Sequence, residues 1–253
     1  MIYIIMPAYN EEENLSGLIP KIDTTLKAAG LQYKVLVVND GSKDRTEHVS
    51  LDLANRFPVE VLNHRVNRGV GAAYDTGLRN ASLRAGPDDV VVLMEADSTN
   101  DPKPIPLMAK MILSNKCDVV IGSRYQKKGG YYKFPLKRLI LSKGANFIFR
   151  LLFPIKNVKD YTIFFRAYRG SILQRAIEYY KDGFVNEKSF VCNAAILIRL
   201  KRFDVRVEEI PMEYRYDLKK GVSKMHIKNN LKEYMRFIFS TLKENMLNGN
   251  RRT

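Results

Sequence analysis

The chain has 253 residues, 45% of them apolar and 27% charged, the proportions of a globular protein with a sizeable core. Its formal charge of +15 calls for an anionic partner: nucleic acid, acidic lipid headgroups or phosphorylated substrates. Cys117 and Cys192 lack metal-ligand spacing, which argues against a zinc module or disulfide framework and for a reduced, cytosolic setting.

In chain order, residues 3–9 (YIIMPAY) predict a strand, 12–29 a helix, 33–40 (YKVLVVND) a strand, 44–56 a helix, 59–64 (VEVLNH) a strand and 69–84 a helix. Residues 89–97 (DVVVLMEAD) then predict a strand, about 104–114 a helix, and 117–124 (CDVVIGSR) a further apolar run. Strands alternating with helices imply an α/β fold with a mostly parallel sheet covered on both faces. The opening MIYIIMPAYNEEEN turns acidic too soon for a signal peptide. The most apolar window, 145–155, is short and carries Arg150, so no membrane-spanning helix is expected. Beyond 125 come a basic, glycine-containing loop and an apolar-and-basic helical stretch around 134–153. Residues 184–217 mix strand-like and helical patterns. The tail sets Ile227, Leu231, Tyr234, Ile238 and Leu242 at helical spacing with lysines between them. The expected division is a main domain over 1–225 and a C-terminal amphipathic helix over 226–253.

Polar clusters collect where the predicted strands end: PAYNEEEN, NDGSKDRT, EADSTNDP and GSRY. Each reads singly as a cap or turn. Four at one sheet edge mark the face where open α/β sheets bind ligands. Glu95 and Asp97, if both lie on the strand, share a face about 7 Å apart and repel. A divalent ion with oxygen ligands, Mg²⁺ or Mn²⁺ bridging to a diphosphate, removes that repulsion. The plain alternative is a turn before Pro102, capped by Asp97 or Asn100. Asn39 and Asp40 can read the N–H edge of a nucleobase, or form an Asx-turn with Ser42 or Asp44 as cap. Arg124 suits bidentate phosphate contact, or is an exposed arginine at a strand end. No Walker A loop occurs, and RGVGAA at 68–73 fails the dinucleotide fingerprint.

IIMPAYNEEENL, VLVVNDGSKDRT, NRGVGAAYDTGL, VVLMEADSTNDP, VVIGSRY, KDYTIFFRAYR and EIPMEYRYDLKKGVSKM stand in this order, and together they resemble family 2 glycosyltransferases of GT-A fold. Within that family the closer resemblance, over roughly 1–225, is to the dolichol- or polyprenyl-phosphate mannosyltransferases. The resemblance implies that Pro7, Tyr9, Glu11, Asn39, Asp40, Arg68, Ala96 and Lys224 bind the donor nucleotide, and that Glu95, Asp97 and Thr99 hold Mg²⁺ or Mn²⁺. It also implies an acceptor-phosphate site of Arg124, Arg138, Arg166 and Ser223, with Lys137 a further candidate, and a catalytic set of Asp97, Glu95, Arg124 and Asp160. Several positions depart from the family pattern. Glu95 stands for an Asp, Thr99 for a Gln, Ile163 and Phe164 for Ser and Gly, and Leu218 for an Arg whose role falls to Arg215.

The expected reaction is transfer of a hexose, mannose from GDP-mannose first and glucose from UDP-glucose second, to polyprenyl or dolichyl phosphate. An acceptor that is already an anion needs no general base, so electrostatic stabilisation of the leaving diphosphate carries the reaction. The stretches 134–153 and 227–246 are expected to lie on the cytoplasmic membrane face, the second less so than the first, with reversible attachment or a separate anchoring partner; the plain alternative for an apolar stripe at helical spacing is core or dimer interface. Another family 2 reaction, on a saccharide or glycolipid hydroxyl, needs a base, for which Asp160 or Glu187 is the candidate. A non-enzymatic basic protein binding membrane or nucleic acid is the third possibility, although the acidic strand ends argue against a nucleic-acid partner.

Overall fold

The computed structural model describes residues 1–221 and 227–249. The first half follows the predicted alternation: β1 (Ile2–Ala8), α1 (Glu12–Ala28), β2 (Tyr33–Asp40), α2 (Thr46–Ala54), β3 (Val59–His64), α3 (Val70–Ser82), β4 (Val90–Leu93), α4 (Ile105–Leu113) and β5 (Val119–Ser123). The second half holds β6 (Gly130–Tyr132), α5 (Leu136–Leu152), β7 (Arg166–Arg169), α6 (Gly170–Tyr180), α7 (Cys192–Leu200), β8 (Val207–Pro211), β9 (Glu213–Arg215) and α8 (Ile227–Gly249).

The seven-stranded sheet runs in the order β3-β2-β1-β4-β7-β5-β8. Only β7 is antiparallel, to both β4 and β5. This is the expected α/β sheet of mostly parallel strands. β1 and β4 are its central parallel pair, register Ile2↔Val90 to Ile5↔Leu93. Each is buried on both faces, as their unbroken apolar runs require. The chain leaves β1 toward β2 and β3 on one side, and β4 toward β7, β5 and β8 on the other. The crevice at the carboxyl ends of β1 and β4 is therefore the switch point of the sheet. Tight helix packing supports it: a Cβ on Gly77 of α3 would fall 2.3 Å from Ile5 Cγ2.

Two local expectations change. The fourth strand stops at Leu93, opposite Arg166 of β7, so Glu95 and Asp97 are not strand neighbours on one pleat. They sit in a bend completed by Ser98 at φ +63°, which turns their carboxylates by loop geometry. Second, the basic loop near 130 and the VRVEEIPMEYRY run each contribute a short strand, and β6 pairs parallel with β9, Gly130↔Glu213 to Tyr132↔Arg215. These three-residue strands carry too little periodicity to be read in advance.

α5 is amphipathic in an unusual direction. Only Asn146 and Phe149 of its seventeen residues are buried, while Leu136, Ile140, Phe147 and Leu151 are each at least 60% exposed. Phe149 anchors it by packing on Tyr161, Tyr234 and Phe237, the last two from α8.

Candidate active site

A cavity of about 970 Å³ opens at the switch point. Its polar end is built from Pro7, Tyr9 and Glu11 after β1, Asp40 after β2, and Glu95, Ala96 and Asp97 after β4. Its other end is apolar, formed by Ile140, Ile148 and Phe149 of α5 and Tyr234, Met235 and Ile238 of α8. Arg124 and Arg138 also line it.

On the nucleotide side the structure divides the expected set. Glu11 is buried, accepting a hydrogen bond from Asn14 Nδ2 at 2.7 Å, while its main-chain N–H donates to Thr46 Oγ1 at 2.8 Å. Asp40 faces the cavity but also organises the loop before α3: it accepts from the N–H groups of Arg68 and Gly69 at 2.9 and 2.8 Å, and pairs with His64 Nδ1 at 2.7 Å. Gly69 holds φ +93°, a conformation that glycine adopts without strain. Asn39 and Arg68 are corrected. Asn39 does not line the cavity; its Nδ2 donates to Asn63 Oδ1 and its Oδ1 accepts from Ser42 N–H, which ties the turn after β2. The Arg68 side chain is exposed and off the cavity, and only its main chain engages Asp40.

The acidic bend is more constrained than its sequence suggests. Asp97 Oδ1 accepts from Thr99 Oγ1 at 2.5 Å and from Thr99 N–H at 3.2 Å. Thr99 is fully buried and off the cavity, so its expected place as a metal ligand is corrected: the hydroxyl orients Asp97. Asp97 Oδ2 accepts from the Lys219 ammonium. Glu95 accepts long bonds from Asn100 Nδ2 at 3.4 Å and Tyr214 Oη at 3.5 Å. Burial first, and the neighbouring Asp97 charge second, push the Glu95 carboxyl above the usual carboxylate range. A hard divalent ion suits this donor set of oxygens. Asn100 Oδ1, whose Nδ2 donates to Glu95, is buried and has no partner among the described residues. Glu95 and Asp97 thus fit an ion as candidate ligands. Among the described residues no cluster of three or more His, Cys, Asp or Glu is preformed for a metal.

Arg124 is set by partners distant in sequence. Its Nε and Nη2 donate to the two Asp160 oxygens at 2.8 and 2.7 Å, and Nη2 also donates to Thr162 Oγ1 at 2.6 Å. Tyr131 and Tyr214 offer ring faces, with the guanidinium carbon 5.0 and 5.7 Å from the ring centroids. Burial opposes the charge on Asp160, but Arg124 outweighs it and holds the carboxyl below the ordinary range. Asp160, expected in the catalytic set, is fully buried, does not line the cavity and is bound by the Arg124 guanidinium, so the structure places it behind Arg124. Arg166 is corrected too. Its place on β7 turns it into the core, where it donates to the carbonyls of Asn193, Tyr161 and Asp160 at 2.6, 2.8 and 3.4 Å. Arg138, on the first turns of α5, does face the cavity, its guanidinium stacked on Tyr216 at 5.8 Å. Ser223 and Lys224 lie outside the described residues.

Two residues of the site escaped the sequence reading. His64, which braces Asp40 and bonds Thr76 Oγ1 at 2.9 Å, has no signal of its own at the end of a strand. Lys219 had one, since it is the first lysine of LKKG beside the glycine of the C-terminal motif.

Comparison with known proteins bears on the family and the fold. Residues 3–177 match the model of the glycosyl transferase family 2. The chain is 34% identical to the dolichol-phosphate mannosyltransferase of Pyrococcus furiosus, over 96% of this chain and 64% of the relative. It is also 34% identical to the polyprenol monophosphomannose synthase of Mycolicibacterium smegmatis, over 92% of this chain and 83% of the relative. It therefore spans just under two thirds of the Pyrococcus protein. Among solved structures, glucosyl-3-phosphoglycerate synthase from Mycobacterium tuberculosis, crystallised with Mn²⁺, UDP and phosphoglyceric acid, superposes with a TM-score of 0.63 at 18% identity, over 96% of this chain and 77% of that one. Staphylococcus aureus TarS gives 0.60 at 15% identity, over 94% and 64%. The chain belongs to glycosyl transferase family 2 and has the expected GT-A architecture.

Proposed function

We propose that this family 2 glycosyl transferase moves a hexose, mannose in the first instance, with inversion from a nucleoside diphosphate sugar to a polyprenyl or dolichyl monophosphate. The observation that carries this reading is the single cavity that joins a buried acidic bend to an apolar wall of α5 and α8, with Arg124 and Arg138 along it. An amphiphile whose head is a phosphate matches both ends. The names of the two mannosyl-transferring relatives support the same acceptor and sugar. GDP-mannose is the preferred donor and UDP-glucose the second.

In this reading Pro7, Tyr9, Glu11 and Asp40 hold the nucleotide, and Glu95 and Asp97 hold Mg²⁺ or Mn²⁺. A divalent ion, when bound, neutralises the charge that develops on the departing diphosphate. The chain's own part is positioning. Thr99 fixes Asp97, Asp160 and the tyrosine rings fix Arg124, and the Nη1 group of Arg124 that Asp160 and Thr162 leave, together with the Arg138 guanidinium, offers N–H donors and positive charge to an acceptor phosphate. The acceptor phosphate oxygen attacks the anomeric carbon as an anion, so no side chain has to remove a proton. A hydroxyl acceptor would need such a base, and both candidates are committed: Asp160 to Arg124, and Glu187 to Arg199 through bonds of 2.7 and 2.6 Å.

The exposed apolar residues of α5, with Lys137, Lys143 and Arg150 on the same helix, support peripheral contact with an anionic, cytoplasmic membrane face. No described helix is long and apolar enough to cross a membrane. A separate anchoring partner would add to this contact. Residues 1–225 are the transferase domain in this reading and 226–253 an amphipathic addition, of which Tyr234, Met235 and Ile238 line the cavity.

The test is incubation of the protein with Mn²⁺, polyprenyl phosphate in vesicles, and labelled GDP-mannose or UDP-glucose. Label entering the lipid phase, and falling by about 10²–10³-fold with Asp97→Asn, is the expected result. Donor hydrolysis without lipid labelling overturns the acceptor assignment.

A further inference from the structure

Both oxygens of Asp97 are already engaged, Oδ1 by Thr99 and Oδ2 by Lys219. Only 12% of the Lys219 side chain and 6% of the Asp97 side chain are exposed. This is a built contact. Lys219 sits on a strap that runs from β9 across the acidic bend to the start of α1. The strap is tied at the bend by Arg215 N–H donating to Thr99 O at 3.0 Å. At α1 it is tied by Asn14 and Lys220, which exchange bonds of 3.3 and 3.4 Å, and by Lys220 Nζ donating to Glu13 O at 3.3 Å. The described part of the strap ends at Gly221, at φ +79°. Lys219 also lines the same cavity as Glu11, Asp40 and Arg124.

A divalent ion that takes Asp97 Oδ2 has to displace this ammonium, since two positive centres on one buried carboxylate oxygen repel strongly where dielectric screening is weak. From this geometry we infer that Lys219 is a resident competitor for the cation: it neutralises Asp97 while the site is empty and must leave the carboxylate before an ion can bind there. The inference rests on the cation site of the proposed function and adds a role that the motif residues do not carry. A nucleoside diphosphate offers the displaced ammonium a second anionic partner in the same cavity. Nucleotide and ion are then favoured together, and each disfavoured alone, as linkage between two sites requires.

The test measures Mn²⁺ binding to the full chain without nucleotide, by water-proton relaxation, for the wild type and for Lys219→Met, which keeps the apolar stem and removes the charge. About tenfold tighter binding in the variant, 1.4 kcal/mol, is expected. Equal or weaker affinity in a folded variant overturns the inference. A second measurement uses the unaltered protein: acylation of Lys219 by an activated ester, read by peptide mass spectrometry, rises several-fold on addition of Mn²⁺ alone. Labelling that stays constant or falls overturns the inference even if the variant does not fold. Absence of Mn²⁺ uptake by both proteins, with GDP or UDP also present, overturns the cation site itself, whereas equal uptake by both overturns only the role of Lys219.

Discussion

The two ends of the cavity solve opposite problems. At the sheet edge, charged groups are buried, and each is met by a partner: Asp97 by Thr99 and Lys219, Asp40 by two backbone N–H groups and His64, Arg124 by Asp160. Along α5, whose Ile140 and Ile148 line the other end, apolar groups are exposed: among the described residues Leu136, Ile140, Phe147 and Leu151 are each at least 60% exposed. Burying a charge costs several kcal/mol unless it is paired, whereas leaving a few aliphatic side chains in water costs little per residue and is retained where a surface is used. The sheet edge is therefore sensitive to the loss of single groups, and the helix wall to the loss of a patch. Three predictions bear on that contrast.

The largest effect is expected from the two arginines. Arg124→Ala leaves Asp160 as an unpaired buried carboxylate and should lower stability by about 3–5 kcal/mol. Arg138→Ala, on a partly exposed helix turn, should change it by about 0.5 kcal/mol or less. Both should impair lipid-dependent transfer, so urea unfolding beside the transfer assay separates scaffold from contact. Similar stability losses for the two would erase the distinction between the ends of the cavity.

Next comes the patch. Ile140→Glu with Phe147→Glu should abolish sedimentation with anionic vesicles at physiological salt while leaving the urea midpoint nearly unchanged, because the two side chains are 61% and 60% exposed. A marked fall in the midpoint would mean that the wall is covered by protein and not by lipid.

The smallest effect is a matter of pH. Burial and Asp97 raise the Glu95 pKa above that of a glutamate in the unfolded chain, so the folded state binds this proton more tightly. The ion-free protein then gains stability as pH falls through the raised folded value, and the gain is complete below the unfolded value of about 4.3. It is lost again as pH rises through the folded value. Glu95→Gln should flatten this part of the profile and stabilise the protein on the alkaline side, measured by thermal unfolding in chelator from pH 5 to 8. An unchanged slope would show that Glu95 is not held against its charge.

The site was legible where its residues share a strand end and obscure where they meet across the chain. PAYNEEEN, NDGSKDRT and EADSTNDP announce the cleft because a parallel sheet brings every strand's carboxyl end to one edge. Arg124 was legible as a basic group at that edge. Its partner Asp160, thirty-six positions away, looked like a base because a lone carboxylate carries no mark of whether it faces a substrate or a guanidinium. Arg166 was misread for the opposite reason: its motif fits a phosphate contact, but an antiparallel strand inserted between β4 and β5 turns it into the core.

Periodicity and turn chemistry, which are local, were enough to establish the α/β alternation and the amphipathic helices and to mark an acidic cluster after the fourth strand, but not that the cluster leaves the strand in a bend. Side-chain direction is not local. The end of β4 at Leu93, the inward turn of Arg166, the locking of Asp160 and the placing of Lys219 on Asp97 were decided by packing between segments up to 122 positions apart. The physical reason is that a buried charge goes where its counter-charge is, and the chain path that brings the two together exists only in the folded molecule.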